Sequence, residues 1–371
     1  MKYGKYRRIV AKFGTNLLTA SSDRLDLEVM ATLVAQVARL HQRGHDVIIV
    51  TSGSIAAGRQ RLGLTNDRGD IPCRQAMAAV GQSALMQSYE QLFAWHGIQV
   101  AQALLTRTDL TDRLGYLNAR RTLLTLLDLK VVPIVNENDV VAVEELAGAS
   151  FGDNDSLSGF VANLVDADLL ILLSDVPGLH TADPDKDENA QLIPRVERID
   201  KSIERLAGGT SGRGTGGMAT KVRAAKMATA GGATVVITGY EKDVLLKVVK
   251  GESIGTLFPP TASKMESRKR WILSGMDTRG KLLVDNGAAN ALKKQNRSLL
   301  PAGIKAVEGK FERGDTVNIY DEDGERVACG ITNYSSHELS IIKGSRSSQI
   351  KELLGYGYGD EVVHRNNLVV A

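Results

Sequence analysis

The sequence predicts an α/β fold. An open, mainly parallel sheet is sandwiched by helices, and a small β-rich domain follows it. Three observations carry this. Apolar runs alternate with amphipathic stretches up to about residue 250, the runs are rich in Val, Ile and Leu, and the texture changes after a Pro-Pro break. Apolar runs without polar alternation are the mark of strands buried on both faces. The expected strands are Arg8–Phe13, Asp46–Thr51, Gln99–Leu105, Val131–Val135, Leu169–Leu173 and Thr234–Thr238. Between the first two, Leu27, Met30, Val34, Val37 and Leu40 recur at spacings of three and four, a helical face that Gly44 closes. Ile71–Trp95, Tyr116–Leu127, Ser156–Leu164, Ser202–Ala207 and Lys221–Gly231 read as further helices. Strand–helix alternation places helices on both faces of the sheet, and ligands then bind beyond the carboxyl ends of the strands.

Pro259-Pro260 is a stiff break, followed by the basic cluster Arg268-Lys269-Arg270. Residues 1–258 therefore read as the larger domain, 259–277 as a linker and 278–371 as the β-rich domain. In that tail the runs Thr316–Tyr320 and Arg326–Gly330 flank Asp323-Gly324, a strong hairpin turn.

Composition excludes several classes. Hydrophobic residues at 43% and charged residues at 24% rule out a largely disordered chain. Apolar stretches such as Leu169–Leu173 fall far short of the ~18 residues of a membrane helix. The basic N-terminus lacks the apolar core of a signal peptide, so a cytoplasmic protein with no membrane partner is expected. Cys73 and Cys329 stand far apart, excluding a disulfide scaffold or a Cys-based zinc site. A net charge of +3 is too balanced to make nucleic acid the main partner.

No P-loop motif is present. Gly212, Gly214 and Gly217 match G-x-G-x-x-G, but the segment before them reads as helix. A dinucleotide site needs a strand there. A loop that covers phosphate fits better: Thr215, Gly216, Gly217, Met218, Ala219, Thr220 and Lys221 offer N–H groups, hydroxyls and a lysine where a helix begins. The other strand ends are polar too. Strand one carries Lys12, which is costly in a buried strand unless it snorkels, is paired or meets an anion. Strand two ends in Thr51-Ser52-Gly53-Ser54, which suits either a ligand or a helix cap. Strand four runs into Asn136-Glu137-Asn138-Asp139, and Gly152-Asp153-Asn154-Asp155 opens a later helix. Either cluster suits an ammonium group, hydrated Mg²⁺, lysines or a capped turn. Strand five ends in Ser174-Asp175. The six histidines lie outside these clusters, so histidine acid–base chemistry is not expected. Lysines and carboxylates without histidine suit phosphoryl transfer, which runs on positioning and charge neutralisation.

Taken together, Ile9–Thr15, Val50–Gly58, Val135–Asp139, Gly152–Asp155 and Gly214–Lys221 resemble the glutamate 5-kinases of the amino-acid kinase family. Leu299–Val307, Phe311–Asp315 and the hairpin after them resemble a PUA domain. The resemblance implies ATP- and Mg²⁺-dependent phosphorylation of the γ-carboxylate of L-glutamate, the first step of proline biosynthesis. By it, Lys12 and Lys221 contact the transferring phosphoryl group. Asp153 and Asp155 organise the lysines and metal, while Ser52, Asp139 and Asn154 hold glutamate. ATP lies against Lys12, Ser174, Asp175 and residues Thr215 to Lys221. Ser174 keeps a hydroxyl where threonine is expected, Ala219 stands where serine is common, and Val140–Phe151 is longer than expected. The resemblance also implies a homo-oligomer and feedback inhibition by proline. Acetylglutamate, aspartate, carbamate or UMP are alternative acceptors, and RNA binding by the tail is the reading from another class.

Overall fold

A computed structural model describes residues 6–64, 70–142, 154–184, 186–208, 217–264 and 279–370. It divides into two compact units, with the boundary between Ser263 and Lys264.

The first unit is built on a seven-stranded sheet. Its strands are β1 (Arg8–Phe13), β2 (Asp46–Thr51), β3 (Val100–Leu105), β4 (Val132–Glu137), β5 (Leu169–Ser174), β6 (Thr234–Gly239) and β7 (Thr256–Phe258). The spatial order is β3-β4-β2-β1-β5-β6-β7, with every pair parallel except β6–β7. All six expected strands are present; β1 and β2 have the expected bounds, and the ends of the other four differ by at most two residues. Strand β4 runs on through Asn136 and Glu137, which pair with Leu104 and Leu105 of β3. The added strand, β7, has three residues on an antiparallel edge, too few to show a period.

The continuous apolar runs serve two cores. Ile9, Ala11 and Phe13 of β1, Val47 and Ile49 of β2, and Leu169, Ile171 and Leu173 of β5 face one core. Val10, Ile48, Val50, Leu170 and Leu172 face the other. Successive side chains leave a strand on opposite faces, so a strand covered on both sides has no polar alternation. Helices α1 (Thr15–Leu18), α2 (Leu27–Gln42), α3 (Ser54–Leu62) and α4 (Ile71–Ala94) contribute to the first core, with Met30, Leu33 and Val37 from α2 and Leu85, Tyr89 and Phe93 from α4. The second is covered by α6 (Arg113–Asp128), α7 (Asn154–Leu164) and α9 (Met218–Ala230), which follow the short α5 (Arg107–Thr111) and α8 (Lys201–Ala207). Helix α10 (Val244–Lys250) returns to the first core. Helix α6 starts three residues before the expected Tyr116 because Asp112 caps it, accepting from the Gly115 amide at 2.7 Å. Lys12 follows Val10 by two and so emerges on the α7–α9 side of the sheet.

The second unit carries a five-stranded sheet of β8 (Gly280–Val284), β9 (Ile304–Gly309), β10 (Thr316–Tyr320), β11 (Arg326–Ile331) and β12 (Leu368–Val370). Its order is β12-β11-β10-β8-β9. The hairpin expected around Asp323-Gly324 is the antiparallel β10–β11 pair. Helices α11 (Asn286–Gln295), α12 (Ser336–Ile342) and α13 (Ile350–Leu354) complete the unit, which has its own core around Leu282, Phe311, Ile319 and Tyr334.

Candidate active site

Three strands of the larger sheet bring their carboxyl ends together with the N-termini of two helices on the same side. Lys12 stands near the end of β1, Asp155 in the first turn of α7, and Lys221 in the first turn of α9. Lys12 Nζ lies 2.7 Å from Asp155 Oδ1, and Lys221 Nζ lies 3.3 Å from Asp155 Oδ2. Thr220 Oγ1 donates to the same Oδ2 at 2.6 Å. Asp155 is 1% exposed, Lys12 6% and Lys221 5%. Burial alone pushes the Asp155 carboxyl up. The charges of Lys12 and then Lys221, with hydrogen bonds from Lys12 and Thr220, overcome it and hold the group below its usual range. The aspartate is therefore ionised and holds one ammonium group at each carboxylate oxygen, deep at the strand ends.

Asn154 precedes Asp155 and points to the other side. Its Nδ2 donates to Ser52 Oγ at 3.0 Å, and its buried Oδ1 has no hydrogen-bond partner among the described residues. A buried amide oxygen without a partner is costly unless a ligand supplies the donor. It borders a cleft of about 380 Å³ lined by Ser52, Asp139 and Asn154 together with Thr15, Asn16, Ser54, Arg59 and Arg74. Asp139 is 8% exposed and accepts from Ser54 Oγ at 3.0 Å. Burial raises its carboxyl above the usual range, while the Ser54 hydrogen bond and the Arg74 charge oppose the rise. The turn into this cleft requires glycine: Gly53 has φ of 101°, a left-handed conformation, and lets Ser52 and Ser54 both border the cleft.

On the opposite side of Lys12 lies the end of β5. Ser174 Oγ donates to Asp175 Oδ1 at 2.9 Å, and Asn16 Nδ2 donates to Oδ2 at 2.8 Å. Burial opposes ionisation of Asp175. Those two hydrogen bonds, helped by its own backbone amide and the charge of Lys221, keep it below its usual range. Gly217 caps α9 in an extended conformation, and Met218, Ala219 and Thr220 form the first turn, the positive end of the helix dipole.

The structure thus brings Lys12, Asp155, Thr220 and Lys221 into one cluster. Ser52, Asp139 and Asn154 border one cleft, and Ser174 pairs with Asp175. Asp153, Thr215 and Gly216 lie outside the described residues, as do Gly212, Gly214 and most of Val140–Phe151. Ser54, part of the strand-two end expected to meet a ligand or cap a helix, borders the cleft, and Asn16, Arg59 and Arg74 join it unannounced. Asn16 directly follows the strand-one motif that ends at Thr15, where small polar residues follow a buried strand. The two arginines stand on helices with nothing in their spacing to mark them. A larger cleft, about 810 Å³ and lined by Asp200, Lys201, Glu204 and Lys226 among others, includes none of the expected site residues.

The family model of the amino acid kinases matches residues 7–239, and that of the PUA domain matches residues 280–354. The chain belongs to the amino acid kinase family. The lysine–aspartate cluster lies within the first match, and strands β8 to β11 of the second, smaller sheet lie within the PUA match. Two curated relatives span nearly the full length. Glutamate 5-kinase of Dehalococcoides mccartyi is 52% identical over 367 residues, covering 98% of each chain. Glutamate 5-kinase of Herpetosiphon aurantiacus is 51% identical over 366 residues, again 98% of each. A solved UMP kinase from Bacillus anthracis aligns with a TM-score of 0.46 at 14% identity, covering 69% of this chain and 97% of that one. Among the described residues, no helix is long and apolar enough to cross a membrane.

Proposed function

We propose that the protein catalyses ATP-dependent phosphorylation of the γ-carboxylate of L-glutamate, giving L-glutamate 5-phosphate and ADP, the first step of proline biosynthesis. The observation that carries this is the adjacency of two sites: consecutive residues Asn154 and Asp155 join a polar cleft to a buried pair of lysines. The two full-length relatives named as glutamate 5-kinases support the choice of acceptor.

A γ-carboxylate is already ionised at pH 7, its reference pKa being about 4.3. It needs no general base, which suits a site without histidine. It must instead approach an anionic phosphate. In this reading Lys12 and Lys221 offset that repulsion and follow the charge as it spreads over the transferring phosphoryl oxygens. Asp155 aims both ammonium groups. Ser52, Asn154 and Asp139 hold the amino acid, with the carboxylate of Asp139 matched to the α-ammonium group. Ser174, Asp175 and the first turn of α9 hold the nucleotide.

Magnesium would come with the nucleotide and supply charge neutralisation there. Both Asp155 oxygens are engaged by lysines, and no group of three or more metal-ligating side chains occurs among the described residues. This fits an ion carried mainly on ATP phosphates, since Mg²⁺ in kinases needs only one or two protein carboxylates. Homo-oligomer formation and feedback inhibition by proline belong to the same reading.

The test is a hydroxamate assay, because hydroxylamine traps an acyl phosphate. Glutamyl hydroxamate that depends on ATP, Mg²⁺ and L-glutamate is expected. Its absence, with strong product from acetylglutamate or aspartate, would reject the assignment.

A further inference from the structure

The cleft contains two guanidinium groups that phosphoryl transfer does not use. Arg59, on α3, reaches Asp23 at 2.9 Å. Arg74, in the first turns of α4, borders the cleft beside Asp139, and its positive charge acts on that carboxylate. Its place is set by backbone. Asp70 caps α4, accepting from the Cys73 amide at 2.8 Å, and α4 packs directly on α3.

An amino acid that presents its γ-carboxylate to Lys12 carries two further charges, an α-ammonium and an α-carboxylate. Asp139 complements the first and repels the second. A carboxylate left unpaired in a half-buried cleft beside another carboxylate is strongly disfavoured. A guanidinium next to Asp139 removes that conflict and offers two parallel N–H donors to a planar anion. Arg74 lines the same cleft as Asp139, and its charge acts on that carboxylate.

We propose that Arg74 binds the α-carboxylate of the acceptor, so that Asp139 and Arg74 together recognise the zwitterionic head of a free amino acid. Arg74 is a specificity residue, and this role rests on the glutamate reading above. It implies that blocking the α-carboxylate, which leaves the reacting γ-carboxylate untouched, costs most of the activity.

The probe is L-isoglutamine, the α-amide of glutamate, assayed beside L-glutamate by the hydroxamate method. The wild type should prefer glutamate by about 100-fold or more in kcat/KM, as sites built for a polar group reject analogues that lack it. Arg74→Gln should raise the glutamate KM by about 10- to 100-fold with kcat changed less and the ATP KM unmoved. It should also bring the glutamate-to-isoglutamine preference below about tenfold. Arg74→Lys, which keeps the charge, should recover part of the preference. A variant with a raised KM and an undiminished preference would show a merely structural role and overturn the inference, as would an unchanged KM. Wild-type enzyme that turns over neither compound would instead overturn the glutamate reading, and this inference with it.

Discussion

Asp155 is the residue on which the chemistry converges, since both proposed phosphoryl-contacting lysines take their position from it. Lys12→Ala and Lys221→Ala should each lower kcat by orders of magnitude with a smaller change in glutamate KM. A charge that meets the phosphoryl group mainly in the transition state behaves in this way. Asp139→Ala should chiefly raise the glutamate KM. Steady-state kinetics separates the two patterns, and normal kcat in the lysine variants would contradict their assigned roles. Asp155 also makes a prediction about stability. Its carboxyl lies below the ordinary value of 3.8 in the folded protein. The stabilisation is therefore fully present above that value and is lost as pH falls through the lower, folded-state value. Removing one member of a buried ion pair costs about 3–5 kcal/mol, because the remaining charges are left uncompensated. Asp155→Asn should lower the urea midpoint clearly at pH 7, and the gap from wild type should narrow as the pH drops below 4. A gap that stays constant across that range would mean the aspartate is not charged in the folded state.

At the scale of elements, the site depends on two helices touching backbone to backbone. A Cβ added at Gly81 of α4 would lie 1.8 Å from the Ser54 carbonyl oxygen and 2.3 Å from the Gly58 amide nitrogen of α3. Only a separation of the helices relieves this. Gly81→Ala should therefore displace Ser54, which aims Asp139, and cost about 1–3 kcal/mol in the manner of other overpacked contacts. A lowered Tm together with a raised glutamate KM checks it, and an unchanged Tm would show that α3 and α4 part freely. This contact also marks the limit of what the sequence makes legible. The buried strands were readable because each is a run of apolar residues, and Lys12 because a cation interrupts one. Asp155 was readable as part of an acidic cluster at a helix start. Arg74 was not, since its role comes from the approach of α4 to α3 through two glycines 23 residues apart. Strand β7 was missed because three edge residues carry no period. Helix α11 was missed because only Ala289 and Leu292 of it are buried, which leaves almost no apolar face.

For the whole molecule, the division of labour is sharp. Every residue assigned to substrate or phosphate precedes Thr234, where β6 begins, and the two units meet in sequence between Ser263 and Lys264. The first unit closes its sheet with β7, ending at Phe258, and has two cores of its own. The second has a separate core around Leu282 and Phe311. Units with separate cores joined at such a boundary commonly fold alone. We propose that residues 259–277 link a complete catalytic domain to the PUA domain. A fragment ending near Met265 should then fold and retain glutamate kinase activity, with changes confined to stability, assembly or the response to proline. The tail is close to charge balance, with only two more basic than acidic residues from Met265 onward. On the second unit, Lys293 and Lys305 are matched by Asp321 and Glu322. Such offset charge is weak attraction for a nucleic-acid backbone, whose binding is driven largely by unpaired Lys and Arg. Loss of the tail should accordingly leave kcat within a few-fold of the full chain at saturating ATP and glutamate. A truncated protein that is monodisperse, keeps its far-UV spectrum and yet turns over nothing would mean that the tail completes the active site. The proposed division would then be wrong at its root, because the residues drawn together at the strand ends would be insufficient for the reaction.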